Sequence, residues 1–222
     1  IRPILLTAGE KAAAPKAIAT KQAVGAANYE FYMAISVLDC TGCQNCVNVC
    51  PAKEKALSMQ ILSEESEEAV LWKYTAGLQQ KAIPFSKWTV KGSQFEKPLF
   101  EYSGACAGCG ETQYIKLLTQ LYGDRMLVAN SAGCAHVFSG SVPASPYTTD
   151  AKGHGPAWNS SLFEDTAEFG LGLFSGTQQI QRQMASAARA AIALHLSDEL
   201  DQVLSDWLDH QHVSEGTRER AE

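Results

Sequence analysis

The sequence predicts a mixed fold in two parts, an α+β module over residues 1–97 followed by an α/β portion over residues 98–222. Three observations predict it. Extended apolar segments flank a dense run of cysteines between Cys40 and Cys50. An amphipathic helix and a short apolar segment then follow one another between Glu111 and Ala129, the pattern of an α/β layer. Helical periodicity takes over from about Leu162.

The elements follow in order. Ile1–Leu6 reads as extended, because Pro3 disfavours helix before it. Residues 31–38, FYMAISVL, suit a strand that leads into the cysteines, and residues 56–62, ALSMQIL, suit a second strand after them. Glu64, Glu65, Glu67 and Glu68 form an acidic run, read as a solvated loop or a helix start. Residues 84–98 read as a linker or a wrap. Glu111–Tyr122 reads as a helix with Tyr114, Leu117, Leu118 and Leu121 on one face and Gly123 as its terminator. Met126–Ala129 reads as a buried strand. Gly133-Cys134 falls just past its carboxyl end, where open α/β sheets place their ligands. Near the end, Ser197 is an N-cap, and Leu200, Val203, Leu204, Trp207 and Leu208 form an apolar stripe read as core packing. Trp158 and Phe163 are read as core, and Arg218–Glu222 as a frayed polar end.

The charge balance narrows the function classes. Net charge is −6 with a pI near 5.4, and no Lys/Arg-rich run is present, which argues against nucleic acid and anionic membranes as partners. No apolar stretch reaches the ~20 residues of a membrane span. The chain opens on Ile1 and not on Met, which cleavage or an incomplete sequence would explain; the cysteine count favours the second, so the expectation is an internal piece of a cytoplasmic protein. Seven cysteines, an odd number, all lie between Cys40 and Cys134. That count and clustering point to metal in a reducing compartment, not to a disulfide scaffold.

Cys40, Cys43, Cys46, Cys50 and Pro51 form C-x2-C-x2-C-x3-C-P, the ligand run of bacterial ferredoxins. Three thiolates two residues apart wrap a tight loop around one iron–sulfur cube, and the fourth, turned away by proline, serves a neighbouring cube or, in a single-cluster variant, completes its own. Strand, cysteine loop and strand make a ferredoxin-like module. Cys106 and Cys109 form a separate C-x2-C, which alone fits a zinc site, a redox pair or half a cluster. Cys134 supplies a third thiol from a strand end, and His136 beside it leaves a Cys3His zinc site open. His154, between glycines, reads as structural.

At these residues the chain resembles the pyruvate:ferredoxin (flavodoxin) oxidoreductase family. The matching stretches are Asp39–Ala56, Val90–Phe95, Pro98–Thr112, Tyr122–Met126, Pro146–Thr149, Gly153–Trp158 and Ser161–Asp165, and the likeness thins after about Gly172. The resemblance implies an enzyme that oxidatively decarboxylates pyruvate to acetyl-CoA and CO2. Thiamine diphosphate and Mg2+ are its cofactors, coenzyme A is a substrate, ferredoxin or flavodoxin is the electron acceptor, and the enzyme is a homodimer. It implies three [4Fe–4S] clusters. Cys40, Cys43 and Cys46 would hold one and Cys50 would reach its neighbour, both in the ferredoxin-like module. Cys106, Cys109 and Cys134 would hold a third, in a thiamine-diphosphate-binding domain begun by residues 98–222. Glu111 and Cys134 match positions that also contact thiamine diphosphate.

The sequence also departs from the family pattern. Ser131-Ala132-Gly133-Cys134-Ala135-His136 stands where the family has Ala-Thr-Gly-Cys-Ser-Ser, and no Gly-Asp-Gly motif for Mg2+ is found. The chain alone is therefore expected to be inactive. The rival reading is a stand-alone iron–sulfur electron carrier with no active site of its own, against which the α/β half argues.

Overall fold

A computed structural model describes residues 1–140, 144–213 and 216; the polar Arg218–Glu222 end lies outside the described residues. The fold is mixed α and β with two small sheets, and it divides into two compact units, Ile1–Glu164 and Asp165–Glu222.

The first unit opens with strand β1 (Arg2–Leu6), the extended segment expected around Pro3. Thr7 then caps helix α1 (Ala8–Ala12). The Thr7 side chain accepts from the Glu10 amide at 3.2 Å and the Glu10 carboxylate accepts from the Thr7 amide at 2.8 Å, a reciprocal capping box inside a segment with no helical periodicity. Strands β2 (Lys21–Gln22) and β3 (Glu30–Ala34) follow, and the antiparallel sheet runs β1-β3-β2. Its side chains alternate between two faces. Leu6, Tyr32 and Ala34 bury one face with Ile18 and Leu71. Leu5, on the other, joins Ala23 and Ala26, with Phe31, Phe85 and Phe95 packed against them.

β3 ends at Ala34, short of the expected Leu38, because Ser36 hydrogen-bonds Asp39 and turns the chain into the cysteine loop. That loop holds the single turn α2 (Asn45–Asn48). Residues 57–61 form no strand and lead into a 3-10 turn at Leu62–Glu64, with Ile61 and Leu62 exposed. A strand needs a paired edge, and the sheet's three strands are joined only to one another. The acidic run does start a helix, α3 (Ser66–Ala76), with Glu67 and Glu68 in its first turn, where the helix dipole favours them.

The stretch read as a wrap contains α4 (Val90–Ser93), whose Gly92 amide donates to Thr89 Oγ1 at 3.0 Å. A Cβ on Gly92 would stand 2.0 Å from the Ser86 carbonyl oxygen and 2.6 Å from its carbon. Backbone cannot yield that far, so Gly92→Ala is expected to cost about 1–3 kcal/mol. A lowered midpoint in thermal melts of the variant checks this.

Helix α5 (Glu111–Tyr122) occupies the expected span, and Gly123 closes it into a 3-10 turn at Gly123–Arg125. Its buried face differs from the expected one. Thr112, Thr119 and Gln120 are buried, whereas Tyr114 and Leu118 are exposed. Hydrogen bonds make this polar face the inner one: Thr119 Oγ1 accepts from the Leu99 amide at 3.2 Å, Gln120 Nε2 donates to the Glu96 carbonyl at 2.9 Å, and Thr112 meets Ser103 at 2.9 Å.

Strand β4 (Leu127–Asn130) follows, helix α6 (Cys134–Ser139) starts beyond it, and strand β5 (Ala157–Ser160) pairs with β4 in parallel. β4 was expected to be buried, but Leu127 is 52% exposed: a two-stranded sheet has too few neighbours to cover both faces. Beside it, Phe100 meets Phe138 and Tyr147 edge to face, and Tyr147 packs against Trp158. Trp158 is half-buried and Phe163 exposed, so only the former contributes to packing as expected.

The second unit contains α7 (Thr166–Leu194) and α8 (Asp198–His210), which pack on one another. Ser197 caps α8 as expected, accepting from the Leu200 amide at 3.2 Å. The apolar stripe of α8 is only partly covered. Leu204, Trp207 and Leu208 are half-buried and Val203 is exposed, because one neighbouring helix covers only part of a stripe. Among the described residues, no helix is long and apolar enough to cross a membrane.

Candidate functional site

The seven cysteines are all free thiols, set on three segments of the first unit. Cys40 and Cys43 lie on the loop after β3, Cys46 lies within α2 and Cys50 just beyond it. The chain reverses there through two left-handed residues, Gly42 at φ 68° and Gln44 at φ 63°. The second is a strained conformation for a residue with a side chain. Cys106 and Cys109 close a turn, the Cys109 amide donating to the Cys106 carbonyl at 3.0 Å. Cys134 opens α6.

The structure brings the first two segments into contact. Gly108, between Cys106 and Cys109, is left-handed at φ 72°, and a Cβ placed on it would lie 3.2 Å from Asn45 Nδ2 and 3.5 Å from Cys43 Cβ. Sequence spacing carries no signal for this pairing, because the residues are more than sixty positions apart. Cys134 is exposed, and among the described residues no three His, Cys, Asp or Glu side chains form a group that could hold a metal ion.

The donor chemistry nevertheless suits thiolate ligands. Amides of Ala56 and Ala52 hold the Cys50 thiol below the usual thiol range, the first standing 3.4 Å from its sulfur. Amides of Thr112 and Glu111, at the start of α5, do the same for Cys109. Donors aimed at sulfur favour its charged form, the form that binds metal. A Cβ at Gly42, Gly110 or Gly133 would meet nothing within 4 Å, so the backbone beside Cys43, Cys109 and Cys134 faces open space that a bulky inorganic group can approach. In metal-free protein, Cys50 and Cys109 should therefore be alkylated by iodoacetamide with half-maximal rates below pH ~8.5, the value for an unperturbed thiol. Peptide-resolved mass spectrometry across a pH series checks this, and Thr112→Val should move the Cys109 profile upward.

The carboxyl end of the parallel pair carries a second polar group. Asn130 stands opposite Ser160 at the last rung, with its Nδ2 buried and without a hydrogen-bond partner among the described residues. His136 Nδ1 lies 2.7 Å from Ser160 Oγ, and that hydroxyl lies 3.2 Å from the Ser161 carbonyl, its acceptor. The sequence offered His136 only as a zinc ligand, and its serine partner was not foreseen. Glu111 is exposed at the start of α5. Burial pushes the Tyr147 phenol up, and the Glu111 carboxylate adds to the shift. His154 serves its loop: the Asp150 side chain accepts its amide at 2.9 Å.

No protein-family model matches the chain. Its relatives are informative. Over 222 residues, all of the chain, it is 55% identical to the pyruvate-flavodoxin oxidoreductase of Klebsiella pneumoniae. Over 99% of its length it is 47% identical to the pyruvate:ferredoxin oxidoreductase of Moorella thermoacetica. Over 81% it is 49% identical to the pyruvate dehydrogenase (NADP(+)) of Cryptosporidium parvum. These relatives are oxidoreductases. The chain belongs to the pyruvate:ferredoxin (flavodoxin) oxidoreductase family. It spans 19% of the length of the Klebsiella and Moorella relatives.

Proposed function

We propose that this chain supplies the iron–sulfur wiring of a cytoplasmic, homodimeric enzyme. That enzyme decarboxylates pyruvate oxidatively to acetyl-CoA and CO2 and passes the electrons to ferredoxin or flavodoxin. The observation that carries the reading is the 55% identity over the whole chain to a pyruvate-flavodoxin oxidoreductase. Residues 1–97, which contain the three-stranded sheet, are assigned as a ferredoxin-like module. Residues 98–222, which contain the parallel pair, are assigned to a thiamine-diphosphate-binding domain.

In this reading Cys40, Cys43 and Cys46 hold one [4Fe–4S] cluster and Cys50 is a ligand of a second. Cys106, Cys109 and Cys134 hold the cluster nearest the substrate. Bound thiamine diphosphate, with Mg2+, supplies the electron sink for the carbon skeleton, and the clusters supply one-electron carriers. The chain's own residues keep thiols ionised and ordered. The amides of Ala52 and Ala56 do this at Cys50, and those of Glu111 and Thr112 at Cys109. Glu111 and Cys134 are assigned as thiamine diphosphate contacts, and Ser160 holds the His136 ring, two residues from Cys134, at 2.7 Å.

The test is acceptor reduction by the anaerobically purified enzyme that carries this chain. Reduction of ferredoxin or flavodoxin should require both pyruvate and coenzyme A. Reduction that proceeds without either, or none with both, contradicts the proposal.

A further inference from the structure

We propose that the contact of Asn45 and Cys43 with Gly108 sets the spacing between the two cysteine loops, and with it the rate of electron passage between the groups they hold. This rests on the function proposed above. The step moves one electron from the group at Cys106 and Cys109, which is oxidised, to the group at Cys43, which is reduced. No bond forms or breaks.

Three observations single out the contact. It is made by the middle of each loop: Gly108 lies between Cys106 and Cys109, and Asn45 between Cys43 and Cys46. It is tight, with the side-chain amide of Asn45 standing 3.2 Å from where a Cβ of Gly108 would be, whereas the same construction at Gly42, Gly110 and Gly133 meets nothing within 4 Å. The residue before Asn45 is held left-handed although it is not glycine, Gln44 at φ 63° and ψ 1°. Strain of that kind persists where surrounding structure holds it, and it collects at functional positions. Gly108 meets two requirements at once: its φ of 72° suits glycine, and its bare Cα lets the facing loop close in. Asn45 and Gly108 are positioning residues that touch neither substrate nor a reacting atom.

Two variants of the holoenzyme press on the gap from opposite sides. Gly108→Ala adds a methyl group against Asn45, and Asn45→Phe wedges the loops apart without altering the Cys106–Cys109 backbone. Both should keep their iron and sulfide. Both should narrow the spin–spin splitting between reduced clusters in electron paramagnetic resonance spectra and slow electron arrival at the acceptor several-fold, Asn45→Phe more so. The double variant Gly108→Ala/Asn45→Gly, which reopens the space, should recover the splitting. Full iron with unchanged splitting in both single variants overturns the proposal. Loss of iron in both overturns it as well, because the contact then serves cluster retention and not spacing. Absence of clusters from the unaltered enzyme would instead refute the proposed function.

Discussion

Cys109→Ala is expected to remove the substrate-proximal cluster and to abolish acceptor reduction. Two backbone amides, of Thr112 and Glu111, converge on this sulfur and favour its thiolate. Both belong to the first turn of α5, so the donors are held by a rigid element. Removing the sulfur leaves those donors aimed at nothing and leaves Cys106 without its turn partner, two residues of a three-cysteine set. Iron and sulfide should fall by one cluster's complement while the signal of the Cys40–Cys50 region survives. Under the proposed function, electrons leaving the substrate would then lack their first carrier, and pyruvate-dependent reduction should drop by orders of magnitude. Thr112→Val, which keeps both backbone amides and removes the Thr112 hydroxyl from Cys109 and from Ser103, should act mildly. Unchanged iron content and acceptor reduction in Cys109→Ala would contradict the ligand assignment.

The largest expected effect on stability comes from Leu6→Ala. Leu6 is fully buried and packs with Ile18, Tyr32, Ala34 and Leu71, joining β1, β3 and α3. A large-to-small change at such a site costs about 3–5 kcal/mol through lost transfer free energy and the cavity left behind. A small domain has only about 5–15 kcal/mol in all. Amide exchange at Leu5, Tyr32 and their neighbours should quicken about a hundredfold or more, since each ~1.4 kcal/mol is tenfold. β3 runs directly into the cysteine loop, so iron retention at Cys40–Cys50 should weaken in the same variant. Exchange changed less than tenfold would show that this sheet is not the core that supports the loop.

Local signals were legible where one segment decides its own structure. Gly123 and the first turn at Glu111 bound α5, Ser197 caps α8, and Gly133-Cys134 falls past the end of β4. Reading failed where a distant partner decides. Residues 56–62 have the composition of a strand, but no sheet edge receives them. The inner face of α5 is polar, and hydrogen bonds between Thr119 and Leu99 and between Gln120 and Glu96 keep it inside, which hydrophobic periodicity cannot register. Phe163 looks like core, yet it is 74% exposed. At the site, the cysteine spacings identified candidate ligands loop by loop. The meeting of the Cys43 and Cys109 loops at Gly108 depends on the tertiary fold, as does the hydrogen bond between His136 and Ser160.

Metal and sulfide analysis of the anaerobically purified enzyme, combined with Mössbauer spectroscopy, tests the central claim most directly. Iron and acid-labile sulfide should be present in equal amounts with the spectrum of [4Fe–4S] clusters, and zinc should be negligible. Stoichiometric zinc with no sulfide would contradict the account and would leave the seven thiols as ligands of a structural metal.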